Sequence, residues 1–259
     1  MAGDAALLSV CGISARFGGV LALDRVDFEL RRGTINGLIG PNGAGKTTLF
    51  NCLSRLHTPH TGEILFEGVH LLRLAPHRIS GAGIGRTFQS PALFATLTVL
   101  ENVMLGVHSR TRSDLLSNAL RLPWALREER LAREKARETI AFLGLSKVER
   151  SVCAGLPFGT LKRIEIARAL ASDPKLLLLD EPAGGLNHEE VGGLAELVRQ
   201  CRAQRGATVM LVEHHMNLVM QVSDRVMVLN FGRKIADGAP AEVQRNAQVV
   251  RAYLGDARV

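Results

Sequence analysis

The sequence predicts an α/β fold with a mainly parallel central sheet, an antiparallel β layer ahead of it and an inserted all-helical segment. Three observations predict it. A glycine-rich stretch, Gly40-Pro41-Asn42-Gly43-Ala44-Gly45-Lys46-Thr47-Thr48, separates an apolar run ending Gly37-Leu38-Ile39 from a helix-like segment beginning Leu49-Phe50. Two stretches, Lys175 to Leu179 and Thr208 to Val212, are wholly apolar after their first residue and have the texture of parallel strands covered on both faces. Between about 90 and 159 the sequence turns to helical patterns, rich in Ala, Arg and Glu toward the end.

The first elements alternate. Val26, Phe28 and Leu30 are apolar while Asp27, Glu29 and Arg31 are charged, the period of a half-exposed strand, and Leu8 to Ser14 is its expected partner. Phe17 lies between these strands in Ala15-Arg16-Phe17-Gly18-Gly19, as a packing ring or one that stacks on a nucleotide base. After the glycine-rich stretch come a helix over Leu49 to Leu56, a strand over Gly62 to Glu67 and a turn at Gly68. Pro76 to Ala82 then reads as a short helix stopped by Gly83, and Ile84 to Phe88 as a buried strand leading to Gln89.

The helical segment starts with a capping box, Thr98-x-x-Glu101, before Asn102 to Val107. Arg127 to Leu143 is a long helix ending at Gly144, and Trp124 is expected to anchor the packing. A helix over Leu161 to Ala171 stops at Asp173-Pro174, and the leucine strand that follows delivers Asp180-Glu181 at its C-terminal end. Glu189 to Gln204 is a helix closed by Gly206, and His214-His215 follow the next buried strand. Strands over Val226 to Asn230 and Lys234 to Ala236 and one terminal helix through Tyr253 complete the chain.

At 259 residues there is room for one such domain, about 1–89 and 160–259 forming core and β layer and about 90–159 the helical subdomain. No apolar run is long enough to cross a bilayer. Met1-Ala2-Gly3-Asp4 lacks the basic start and apolar core of a secretory signal, so a cytoplasmic location is expected. Cys11, Cys52, Cys153 and Cys201 are scattered, which suits reduced core thiols and argues against zinc or a disulfide framework. The net charge of +7 is spread along the chain among glutamates, so no nucleic-acid partner is expected.

The chemistry concentrates at strand ends. Gly40 to Thr48 fits the phosphate-binding pattern of Gly, four residues, Gly, Lys and Ser/Thr. Glycines let successive N–H groups curl toward phosphate oxygens, and the following helix offers its positive N-terminal end. Lys46 is placed for β- and γ-phosphates, and the Thr47 hydroxyl for Mg²⁺. Asp180 is positioned to hold Mg²⁺ opposite Thr47, and Glu181 is the candidate general base for water attacking the γ-phosphate. Gln89 and His214 are candidates to complete that shell as catalytic groups, with Gln89 also a candidate metal ligand.

In this order and spacing the stretches Gly40 to Thr48, Gln89, Leu156-Pro157-Phe158-Gly159-Thr160, Leu176 to Glu181, Gly184-Gly185-Leu186-Asn187 and Glu213-His214 resemble the ATP-binding proteins of ABC transporters across essentially the whole chain. Ile84 to Gln89, Glu181 to Asn187, His214 to Met220 and Val228 to Gly232 most resemble the ATP-binding subunits of bacterial branched-chain amino-acid importers. The resemblance implies a P-loop NTPase fold with a RecA-like core, and an ATPase that uses ATP and Mg²⁺. It implies a head-to-tail dimer in which Pro157, Phe158, Gly159 and Thr160 of one copy close on ATP held by the other. It also implies two transmembrane permease subunits, a second ATP-binding subunit, an indirect periplasmic or extracellular substrate-binding protein, and a peripheral place on the cytoplasmic membrane face. By the same resemblance Phe17 is the adenine-stacking residue.

The chain departs from the family pattern at two places. Pro157 and Phe158 replace Ser and the first Gly of the usual Leu-Ser-Gly-Gly-Gln, and Thr160 replaces Gln, so one hydroxyl donor is lost and another is offered nearby. Asn187 replaces an Asp. Gly159 is expected to open the helix that starts near Thr160. The alternatives are a lipopolysaccharide-export or urea/amide-uptake ATPase, or a soluble mechanical ATPase. The last usually carries two nucleotide domains or a long coiled coil, and neither is in the sequence.

Overall fold

The computed structural model describes residues 6–107 and 123–254. The chain divides into two compact units, Met1–Ile79 with Leu178–Val259, and Ser80–Leu177. The N-terminal tetrapeptide lies outside the described residues.

In the first unit an antiparallel sheet has the order β2-β1-β4-β5, with β1 at Leu8–Phe17, β2 at Val20–Leu30, β4 at Thr61–Phe66 and β5 at Val69–His70. The predicted alternation sets its register. Val10 pairs with Phe28 and Ile13 with Val26, and all four are buried, whereas Asp27 and Glu29 face solvent. Both strands run further toward each other than expected, pairing Phe17 with Val20 across Gly18-Gly19. The expected loop between them is thus the tip of a hairpin.

The central sheet of this unit runs β10 (Arg233–Gly238), β9 (Arg225–Asn230), β3 (Ile35–Ile39), β8 (Thr208–Val212), β7 (Leu176–Asp180). β3 is parallel to both β8 and β9, and β10 closes the edge antiparallel to β9. Every residue of β3, β7 and β8 is buried, which is why their sequences are apolar apart from Asn36, Asp180 and Thr208. Burial of each such leucine or valine contributes roughly 1.5–3 kcal/mol. The helix Lys46–Leu53 sinks Leu49, Phe50, Cys52 and Leu53 into the core directly after the glycine-rich stretch.

The helix His188–Arg205 begins with Asn187 as its cap. The Asn187 side chain accepts from the Glu190 amide at 2.9 Å, and Glu190 Oε2 accepts the Asn187 amide at 2.9 Å. This reciprocal pair gives the departure at Asn187 a structural role. Replacing Asn187 with Ala is expected to cost about 1 kcal/mol, read as a lower urea midpoint at unchanged slope. The predicted single terminal helix is two, Pro240–Arg245 and Ala247–Leu254. Asn246 between them is extended, at φ −72° and ψ 118°, and its Oδ1 accepts the Gln248 amide at 2.8 Å. Local side-chain bonding to the backbone breaks the helix and starts the next.

The second unit holds β6 (Ile84–Arg86), the beginning of β7, and the helices Val99–Val107, Pro123–Phe142 and Phe158–Leu170. The expected capping box is formed: Glu101 N donates to Thr98 Oγ1 at 3.2 Å, and Thr98 N to Glu101 Oε2 at 2.8 Å. A Cβ on Gly106 would lie 1.9 Å from the Arg168 carbonyl, so the first and third of these helices touch backbone to backbone there. Fully buried Asn102 accepts the Phe94 amide and donates to the carbonyls of Phe94, Leu97 and Thr98.

Two expectations are corrected by burial. Trp124 is 46% exposed; the helix turns Ala125, Ala132, Ala136 and Ile140 inward instead, small residues that allow close packing. Cys11 is exposed on β1, whereas Cys52, Cys153 and Cys201 are buried free thiols. Burial pushes the thiols of Cys52 and Cys201 up to about 12, as inert core groups require.

Candidate functional site

The glycine-rich stretch leaves the end of β3 and enters the helix Lys46–Leu53. Gly43 and Gly45 lie at φ +77° and +100°, where only glycine is unstrained, and Gly45 is the helix cap with no side chain bonded to the helix start. Gly40 has a second constraint, because a Cβ there would meet the Leu229 carbonyl at 2.1 Å. The turn after β9 holds the loop from outside: Gly232 N donates to the Ala44 carbonyl at 3.0 Å, and Gly232 O accepts from Asp24 N at 2.9 Å. The result is a loop fixed at both ends beside uncapped first-turn amides, the arrangement that binds an anion.

Lys46 is buried, and its ammonium donates to the carbonyls of Gly40 and Pro41 at 2.7 and 2.9 Å. The lysine folds back along the loop. Burial holds its pKa below the ordinary lysine range, while the charges of Glu181 and Asp180 act to raise it. Lys46 therefore sits within electrostatic reach of both predicted carboxylates. Asn42, Gly43 and Thr47 are exposed; Pro41, Gly45 and Thr48 are half-buried, and Ala44 is buried.

Asp180 is buried at the last position of β7, and Glu181 follows with 20% of its side chain exposed. Glu181 takes φ +47°, a left-handed conformation unusual outside glycine, and its amide donates to the Val212 carbonyl at 2.9 Å. That bond ties the end of β7 to the end of β8. From the loop after β8, His214 Nε2 lies 2.8 Å from Glu181 Oε1, with the imidazole largely exposed. Lys46, Asp180, Glu181 and His214 are thus brought together, as the sequence predicts. A carboxylate with a ring nitrogen on one oxygen is a group that can take a proton from water.

No three His, Cys, Asp or Glu side chains among the described residues form a ready metal cage. Asp180 and Thr47 offer protein oxygens for a hard cation, with further positions left to phosphate, water and amide oxygens. That division suits Mg²⁺.

Gln89, Pro157, Phe158, Gly159 and Thr160 belong to the second unit. β6 stops at Arg86, three residues short of Gln89, because a helix takes the backbone groups that a ladder would use. Phe88 N donates to Glu165 Oε1 at 2.7 Å, and buried Lys162 donates to the Gln89 carbonyl at 2.7 Å. Arg168 donates to the Ala92 carbonyl at 2.5 Å. Lys162, Glu165 and Arg168 share one face at three-residue spacing and strap the segment around Gln89 to the helix Phe158–Leu170. Sequence reasoning missed this strap, although three charged residues at three-residue spacing inside an apolar helical pattern were its signal.

That helix starts two to three residues earlier than predicted. Pro157, extended at φ −54° and ψ 145°, is its cap and Phe158 its first residue, so Gly159 is second rather than the opener. A proline with no amide to satisfy fits the boundary. Pro157 and Phe158 are exposed, and Gly159 and Thr160 half-buried. The Phe158 ring lies 5.7 Å from the Lys162 ammonium.

Phe17, 48% exposed at the hairpin tip, has the His57 ring 4.4 Å away at 31°. Its outer face is available to a base, and the histidine fixes the ring's tilt.

A family model described as ABC transporter matches residues 23–184, and one described as Branched-chain amino acid ATP-binding cassette transporter matches residues 233–259. The chain is 42% identical over 251 residues to the high-affinity branched-chain amino acid transport ATP-binding protein LivG of Salmonella typhimurium, covering 97% of this chain and 98% of that protein. It is 39% identical to BraF, described in the same words, of Pseudomonas aeruginosa, with the same coverage. Among solved structures, a nucleotide-free ATP-binding cassette from an ABC transporter superposes with a TM-score of 0.84 at 30% identity, over 97% of this chain and all of that one. The ADP conformation of such a cassette superposes at 0.83 with 31% identity and the same coverage.

Proposed function

This chain belongs to the ABC transporter ATP-binding family, and from that premise we propose that it is the ATP-hydrolysing subunit of an importer of branched-chain amino acids. The observation that carries the chemistry is the meeting of buried Lys46 with Asp180, Glu181 and His214 beside an uncapped helix start. The matched C-terminal segment and the likeness to LivG and BraF over nearly the whole chain support the substrate class.

In this reading Gly40 to Thr48 wraps the phosphates of ATP with backbone amides, and Lys46 turns its ammonium from Gly40 and Pro41 toward β- and γ-oxygens. Thr47 and Asp180 hold Mg²⁺, with Gln89 contributing to its shell. When bound, the ion would supply neutralisation of phosphate charge. Glu181 accepts a proton from the attacking water, and His214 orients Glu181 through its Nε2 and senses the γ-phosphate. Phe17 stacks on adenine.

The subunit works as a head-to-tail pair, a second ATP-binding subunit presenting Pro157, Phe158, Gly159 and Thr160 to the nucleotide. ATP then favours the closed pair, and its hydrolysis withdraws that preference. No helix among the described residues is long and apolar enough to cross a membrane. Translocation accordingly falls to two separate permease subunits, fed by a substrate-binding protein, with this chain on the cytoplasmic face. Purification of the tagged chain from membranes of its own cell is expected to bring down two multispanning proteins. Vesicles containing that complex should hydrolyse ATP faster when leucine or isoleucine with its binding protein is enclosed. A partner set without any multispanning protein overturns the transporter reading; stimulation by urea or an amide alone overturns the substrate.

A further inference from the structure

Glu213, the last residue before His214, is 1% exposed. Its two oxygens hold different loops. Oε1 accepts the amide of Ala183, in the loop after β7, at 2.5 Å. Oε2 accepts the amide of His214 at 3.0 Å and that of His215 at 3.4 Å, in the loop after β8. Few buried groups can satisfy three backbone donors on two segments at once, and a carboxylate with four lone-pair positions is one of them.

We propose that Glu213 is a positioning residue that couples His214 to the loop carrying Glu181, so that the imidazole and the catalytic carboxylate move as one body. The inference rests on the role given above to Glu181 and His214. Besides Glu213, the Glu181 amide hydrogen bond to the Val212 carbonyl and the side-chain contact between His214 and Glu181 join the two loops. With it, a pull on His214 from the γ-phosphate reaches Ala183 and the stretch Gly184-Gly185-Leu186-Asn187 that follows it. A glutamine there keeps the volume but has one accepting oxygen, so one loop is released. An aspartate is a methylene short of spanning both.

The experiment uses the full chain as wild type, E213Q, E213D, H214A and the E213Q/H214A double variant. Melting temperature, MgATP affinity and single-turnover hydrolysis are measured for each. E213Q is expected to keep its MgATP affinity within about twofold and to hydrolyse about 10- to 100-fold more slowly, the scale of a misplaced catalytic group. In the H214A background the same glutamine should cost less than about twofold more, because the group it positions is gone. E213D gives the same kinetic pattern should the coupling need both loops. An equal fold-loss in both backgrounds, or a loss of affinity at unchanged hydrolysis, overturns the inference while leaving the ATPase reading intact. Normal hydrolysis by H214A removes His214 from the mechanism and the inference with it.

Discussion

Replacing Glu181 with Gln is expected to slow ATP hydrolysis by about two to four orders of magnitude while MgATP binds with unchanged affinity. The expected loss corresponds to roughly 3–5 kcal/mol of activation free energy. The geometry separates the base from the scaffold. A glutamine at this position keeps the side chain's length, and its carbonyl oxygen can still accept from His214 Nε2 across the present 2.8 Å contact. The amide bond from residue 181 to the Val212 carbonyl is untouched, and the left-handed backbone at φ +47° is no worse for glutamine than for glutamate. The loop should therefore hold its shape, and the melting temperature should stay within a few degrees. What is lost is the ability to take a proton from water. Turnover within about threefold of wild type would place the base elsewhere. Tighter pairing of the subunits in ATP should accompany the loss, because the closed state is no longer emptied by hydrolysis, and analytical centrifugation reads that pairing directly.

The residues around this carboxylate show which parts of the site were legible in the sequence. Gly40 to Thr48 and Asp180-Glu181 are read from local chemistry: glycines where φ is positive, and two acids at the exit of a wholly buried strand. Their meeting was legible too, because parallel strands deliver their C-terminal ends to one edge. The partners of backbone groups were not. Glu213, Glu165 and Lys162 each bind amides or carbonyls 30 to 77 residues away, and no period or spacing announces such a bond. The same blindness explains the displaced end of β6, where Glu165 and not a strand neighbour takes the Phe88 amide. Hydrophobic pattern likewise failed at half-exposed Trp124, since size alone does not bury a ring. Asn187 was readable by a rule applied elsewhere in the chain, because Asn187-x-x-Glu190 repeats the logic of Thr98-x-x-Glu101.

Lys46→Met is expected to weaken MgATP binding by at least about 100-fold while leaving the ligand-free protein as stable as wild type or slightly more so. Both halves follow from one feature. Lys46 is buried, and desolvation is the larger influence on its ammonium, outweighing the attraction of Glu181 and Asp180 and setting its pKa below 10.5. The folded protein thus holds this charge at a cost, which a methionine of similar length does not incur. The phosphates of ATP reverse the balance, since charge-assisted contacts to them are among the strongest that a side chain makes. The pH dependence has a definite sign. Between the lowered pKa and 10.5 the unfolded chain binds more protons than the folded one, so stability rises with pH through this window. Nucleotide affinity runs the other way, because the ammonium that phosphate needs is lost at a lower pH than in an exposed lysine. Titrating MgATP against wild type from about pH 7 to 10.5 should therefore show affinity falling while the melting temperature gains from this group, and Lys46→Met should flatten both trends. Equal affinities of the two proteins near neutral pH would mean that Lys46 serves only to bridge Gly40 and Pro41, and that the loop binds phosphate through its backbone alone.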